Sequence, residues 1–452
     1  MELTFYIFIK IIAYIASFSI LLNAYILKRH VGHYMHPSII FSLLWFFYTI
    51  IPLTVFIFVP INPIAIFYIL ICTVAFSVPA LFFNWKIAFR LNSKKIESKI
   101  LFDNKFLNLS LILSLILSII LTILSLMSYG YDLYSILFDL LKTSGDYAKY
   151  RGNGYYPSNL LGSAAILWIY LSAVLGGIIY PGKEGKLQKL KIIFLALTPS
   201  IFYMLIQSSK LIFFYSIGFF LAATIIRNTY FQNYTLFKRE TLIKTAALSI
   251  IALPFLAISI LSREHYNDID DYNKSFSLIF STLMDYAFAQ IFAFADFFSY
   301  MIGMDSEISY LDDVYSYGLY TFTFIFDIIG SVKSMPPGLY EESYSYNGLI
   351  STNIFTIFRG LIYDFGILGS IFYLLLLGIA ANFTFYTFLK NKKPWISFAI
   401  LIILIEYCLG SYLLSMFMAR FMFLLCIVIY LMLFINDLIY CKNMKQNNLY
   451  WP

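Results

Sequence analysis

Charge is scarce in this chain. Asp, Glu, Lys and Arg make up 12% of its 452 residues, against roughly a quarter in a soluble domain. That shortage excludes an ordinary solvated globule. Cysteine and histidine are few, four of each. Cys72, Cys408, Cys426 and Cys441 lie within or just beyond apolar runs, so the chain has neither a disulfide framework nor a zinc-type cysteine pattern. No P-loop, dinucleotide fingerprint, HExxH or GxSxG is present, and there is no DxD; Asp312 and Asp313 are merely adjacent. The first apolar run lacks a basic stretch ahead of it and continues for about 25 residues, too long for the apolar part of a signal peptide, so an uncleaved helix is expected.

What the chain does have is apolar length. It is 61% hydrophobic with a mean hydropathy of +0.81. Several runs reach 18 or more residues, enough to cross ~30 Å of hydrocarbon at 1.5 Å per residue. The runs are continuous rather than alternating, which selects helices over a barrel. The expected fold is an all-α polytopic membrane protein, a single integral membrane domain over 1–452. Its spans fall near 3–27, 38–59, 63–83, 106–127, 157–180, 191–206, 211–226, 244–262, 364–389, 395–413 and 421–440. That is eleven, rising to thirteen if 276–302 and 308–330 also cross.

The basic residues set the orientation. If the eleven spans alternate, 21 of the 31 Lys and Arg fall in loops on one side, and that side is cytoplasmic by the positive-inside rule. The net charge of +7 is therefore a topology signal and gives no indication of nucleic acid. Two large extracytoplasmic loops remain, about 128–156 and 263–363. Of 24 acidic residues, 14 lie between Arg263 and Asp364. Within the second loop, Asp285 and Asp296 are eleven residues apart, a spacing that places both on one face if 276–302 is a continuous helix.

The cations that break the topology rule are candidate functional groups. Arg263 follows a span, Arg359 precedes one in FRGLIYDFG, Arg420 sits at the last turn, and Arg151 precedes the fifth span in YRGNGYYPSNLLG. Lys210 occupies the tight turn QSSKLIFF. Arginine offers a planar fork of donors suited to phosphate oxygens; the plainer role is a helix-end anchor that snorkels or pairs with a carboxylate. His265 and Glu264 beside Arg263, and Asp364 beside Tyr363, are candidate general bases for a hydroxyl. The many tyrosines of these loops, Tyr147, Tyr150, Tyr155, Tyr156, Tyr310, Tyr315, Tyr317, Tyr320, Tyr340, Tyr344 and Tyr346, fit sugar stacking and equally an interfacial aromatic belt. Lys10 and Glu406 are the clear charges inside spans.

The segment Thr352–Gly378, TNIFTIFRGLIYDFGILGSIFYLLLLG, resembles the late region of bacterial O-antigen and capsule oligosaccharide repeat-unit polymerases, with a YxDFG-like turn entering a helix. The QSSK turn is similar to the place where many members carry Ser-Arg, with Lys210 replacing the arginine. Arg151 and Gly162 fit an Arg–ten residues–Gly pattern. The resemblance implies a multi-pass glycosyltransferase of the bacterial inner membrane, acting at its periplasmic face in O-antigen, lipopolysaccharide or capsule polysaccharide biosynthesis. Its substrate would be oligosaccharide on undecaprenyl diphosphate within membrane lipid, without metal or cofactor, and a chain-length regulator protein would be a partner. On that reading Arg151, Lys210, Arg263, Arg359, Arg420 and Tyr363 bind diphosphate or sugar, and His265, Asp364 and Glu264 are the candidate catalytic groups. The alternatives are a lipid-linked oligosaccharide flippase or other transporter, and an O-antigen ligase.

The topology has a direct check. With single cysteines and a membrane-impermeant thiol reagent on intact spheroplasts, position 268 should label and position 95 should not; the reverse pattern contradicts the assigned orientation.

Overall fold

The computed structural model describes residues 2–92, 99–152, 159–234, 253–262, 272–310, 316–323, 325–326, 340, 342–419 and 421–446. It is an all-α polytopic membrane protein. Among the described residues nine helices are long and apolar enough to cross a membrane, or ten if one bent pair counts as a span. They are α1 (Glu2–Val31), α2 (Pro37–Val55), α3 (Pro63–Ser77, prolonged by a 3-10 turn to Phe82), α5 (Lys105–Met127), α8 (Leu160–Ile179), α9 (Lys186–Gln207), α10 (Lys210–Tyr230), α14 (Ile357–Lys390) and α16 (Met422–Gln446). Shorter helices are α4 (Trp85–Asn92), α6 (Leu133–Phe138), α7 (Leu140–Gly152), α11 (Leu253–Ser262), α12 (Tyr272–Phe288), α13 (Gln290–Met301) and α15 (Trp395–Gly410).

Every expected span holds a helix. Two fall short of a full crossing: α15 has 16 residues, and α11 covers only the described end of 244–262. The bent pair is α12–α13, broken by 55° near Ala289. The expectation of one straight helix with Asp285 and Asp296 on a shared face is therefore corrected. The break separates them, and each carboxylate holds a different piece of backbone.

The chain divides into two compact units: Met1–Lys86, Ile269–Tyr386 and Tyr407–Arg420 in the first, and Ile87–Asp268, Thr387–Glu406 and Phe421–Pro452 in the second. In the second unit α5 shows how lipid reverses the usual pattern. Its serines and threonine recur every fourth residue (Ser110, Ser114, Ser118, Thr122) and are buried, while Leu109, Leu113, Ile116 and Ile120 are exposed. Ser114 and Thr122 donate to the carbonyls one turn back, so the small polar stripe costs nothing unpaired and lets α5 pack closely on α8. Gly176 and Gly177 of α8 do the same toward α9 and α10; a Cβ on either would overlap Ala196 or the Phe220 carbonyl.

In the first unit α1, α2 and α3 pack on one another, and α13 lies on α2 and α3. Lys10, the cation inside the first span, donates to the Phe56 carbonyl at 3.2 Å and lies 5.0 Å from the Phe292 ring. His36, just before α2, is fully buried edge-on to Trp85 and Phe385, and neither ring nitrogen has a partner among the described residues. Burial, aided by nearby His30, pushes its pKa down to about 3.

A depressed histidine pKa makes stability depend on acidity. The folded state keeps His36 neutral while the unfolded chain protonates it below about pH 6.5. Stability contributed by His36 is thus intact above that pH and falls by ~1.4 kcal/mol per pH unit below it. In thermal unfolding followed between neutral and mildly acid pH, His36→Phe should flatten the acid-side decline; an unchanged decline would mean that His36 does not cause it.

Candidate functional site

The expected motif Thr352–Gly378 lies in the first unit, and a hairpin with a three-residue connection prepares its entry. Strands β1 (Tyr344–Tyr346) and β2 (Ile350–Thr352) pair antiparallel across Asn347, Gly348 and Leu349; the Leu349 amide donates to the Tyr346 carbonyl, and Asn347 and Gly348 take the positive φ that Asn-Gly favours. Asp285 of α12 accepts from the Ser351 amide at 3.0 Å and so pins the hairpin. The Thr352 hydroxyl accepts from the Ile354 amide, and the Ile357 amide donates to the Ser411 carbonyl. The chain is thereby aimed into α14 with Arg359 in its first turn.

Arg359 is 1% exposed. Its Nη2 donates to Glu342 Oε2 at 2.7 Å and to the Tyr363 hydroxyl at 3.3 Å. Five rings surround the guanidinium: Tyr340 at 3.9 Å and Phe355 at 4.0 Å, then Phe297, Tyr310 and Tyr363 at 4.9 to 5.3 Å. Guanidinium over aromatic faces is a favourable pairing that strengthens as water is excluded. Yet Nε and Nη1 have no hydrogen-bond partner among the described residues, so the cation retains unused donors in a desolvated site. Tyr320 stacks at 5.4 Å on Tyr340 and at 5.9 Å on Tyr363. Gly360 admits it, since a Cβ there would crowd Tyr320 at 3.1 Å. Burial raises the Tyr310 and Tyr340 hydroxyls above their ordinary range and pushes Tyr320 up to about 12, against the opposing pull of Arg359. All three stay neutral at physiological pH.

Asp364 is also buried. Its Oδ1 accepts from the Ser316 hydroxyl at 2.5 Å and from the Tyr320 and Gly318 amides at 3.0 and 3.2 Å. The Ser316 amide donates to the Tyr363 carbonyl. Segment 316–320, with Tyr317 and Gly318 at positive φ, is therefore fastened to α14 by Asp364. Phe365 stacks on Tyr373 at 5.1 Å, and Gly366 breaks the helix at φ 73°, a conformation natural to glycine. The DFG triplet here anchors, packs and bends.

Beside this cluster lies a cavity of about 390 Å³ whose lining includes Asn62, Phe292, Asp296, Asp305, Glu307 and Tyr344. Asp296 accepts from the Glu307 amide and the Tyr310 hydroxyl, so one tyrosine links the cavity wall to the Arg359 cage.

The structure thus brings together Arg359, Tyr363 and Asp364. Lys210 opens α10 in the second unit and is buried; the preceding Ser208, at φ 49°, shares hydroxyl contacts with Ser144 and Ser262. Arg151 lies at the end of α7, also in the second unit. Arg263, Glu264, His265 and Arg420 lie outside the described residues. Sequence reasoning missed Glu342, the counter-ion of Arg359, along with the ring wall of Phe297 and Phe355. The one local signal for Glu342 was its place just before the YSYNG turn. No protein-family model, curated protein or solved structure matches the chain.

The buried pair has a measurable consequence. Removing one partner strands the other charge, at a cost of ~3–5 kcal/mol. Arg359→Ala should lower the thermal midpoint sharply, and Arg359→Ala with Glu342→Gln should be less harmful than the two single changes summed. Additive effects in that double-mutant cycle would show that the pair is not coupled.

Proposed function

We propose that this chain polymerises oligosaccharide repeat units carried on undecaprenyl diphosphate, at the periplasmic face of a bacterial inner membrane, in O-antigen or capsule biosynthesis. The observation that supports this reading is the Arg359 guanidinium, buried at a helix start with Nε and Nη1 unpartnered among the described residues. Buried donors with no acceptor among the described residues suit an anion that arrives with the substrate, and a diphosphate anchored by an embedded tail is such an anion.

In the proposed reaction the terminal hydroxyl of a new lipid-linked unit attacks the anomeric carbon of the growing glycan. The bond from that carbon to the diphosphate breaks, and its electron pair leaves with undecaprenyl diphosphate. Arginine donors stabilise this developing charge without a metal. The acidic cavity beside Tyr310, with apolar walls and several carboxylates, suits a hydroxyl-rich sugar better than a second anion. Asp364 has Oδ1 taken up by three donors while Oδ2 has no partner among the described residues, so Asp364 and His265, with Glu264 at its side, are both candidate bases.

A second reading, a lipid-linked oligosaccharide flippase or other transporter, draws support from Glu406, a carboxyl fully buried among helices. Reconstituted turnover separates the two, because only the polymerase lengthens glycan in a sealed assay with purified lipid-linked repeat units. Activity should survive EDTA. Arg263→Ala should reduce the rate by about two to three orders of magnitude, as expected for ~3–4 kcal/mol of lost charge stabilisation. Arg359→Lys, which keeps the charge in the cage but loses the fork, should retain only part of the activity. Near-normal rates in both variants would move the site to Arg151, Lys210 and Arg420.

A further inference from the structure

Glu406 takes no part in the Arg359 cluster and calls for its own explanation. It lies in the last turns of α15 and is completely buried. Among the described residues neither carboxyl oxygen has a hydrogen-bond partner, and no cation pairs with it. Within the second unit the carboxyl sits directly against the backbone of Gly218 on α10, where any Cβ would overlap it. The titratable groups that face it are the Tyr215 hydroxyl of α10 and the Tyr170 hydroxyl of α8. Both rings belong to a buried aromatic cluster with Phe219 and Phe421, and a neutral phenol cannot balance a full negative charge.

A carboxylate buried with no donor or counter-ion among the described residues gives up its hydration without compensation, and a group so placed takes up a proton instead. We propose that Glu406 is a proton-binding site in the helical core. The carboxyl is a neutral acid wedged between α15 and the Gly218 notch of α10, and its ligand is a single proton. This holds whether the chain makes glycan or moves it, because it rests only on the second unit's packing. The packing explains the notch as well: glycine at 218 is what allows an acid, rather than a shorter side chain, to fill the gap.

The test is infrared difference spectroscopy on purified protein at neutral pH, wild type minus Glu406→Gln. The expected result is the C=O stretch of a protonated carboxylic acid in the wild type alone, persisting as the buffer is made alkaline. The paired bands of a carboxylate in its place would overturn the proposal. Glu406→Leu is the second variant. Since Gln and Leu each replace one neutral group by another, both should keep the elution profile and thermal midpoint of the wild type. Unfolding of both variants would mean that the charged form is required, and would overturn the proposal equally.

Discussion

The ion pair between Arg359 and Glu342, closed in by five aromatic rings, is the interaction on which the first unit's architecture most depends. A guanidinium cannot be buried cheaply, so the surroundings are recruited to it. Tyr340 and Glu342 come from the approach to the hairpin, Tyr310 from the segment after α13, Phe297 from α13 itself, and Phe355 from the link between β2 and α14. Tyr320 is stacked in from the turn that Asp364 fastens. One cation therefore organises five stretches of chain, and two of its nitrogens have no partner among the described residues. A group that served structure alone would be expected to be satisfied in full.

Elsewhere the fold follows from lipid as the surrounding solvent. Apolar side chains face outward and small polar ones inward, as in α5, and glycines of α8 bring backbones together where bulk would hold them apart. Polar groups inside are then either paired locally, like the serines of α5, or left as exceptions. Among those exceptions in the described residues are His36, Arg359 and Glu406. Each sits at a different place: a histidine neutral by burial, a guanidinium with two nitrogens unpartnered among the described residues, and a carboxyl buried against the Gly218 backbone.

Much of this was legible in the sequence. Helix positions followed from apolar runs, because a span must be long and continuous and little else can look like one. Arg359, Tyr363 and Asp364 stood out as polar residues grouped at a span boundary, and they do lie together. What the sequence could not supply was long-range pairing. Nothing local to Glu342 announces Arg359 as its partner, and nothing local to Asp364 reveals that its oxygen is taken up by a turn 44 to 48 residues earlier. The helix break at Ala289 was hidden for a related reason: the apolar pattern of 276–302 carries on through it, with neither Gly nor Pro to mark the bend.

The central claim is that the chain lengthens glycan on a lipid carrier, and the banding of surface polysaccharide in a deletion strain addresses it most directly. On gels of extracted lipopolysaccharide or capsule, loss of the gene should leave a single capped repeat unit with the ladder above it gone, restored by the wild-type chain. Complete absence of any repeat unit from the surface would contradict the claim and point to transport of the lipid-linked unit across the membrane.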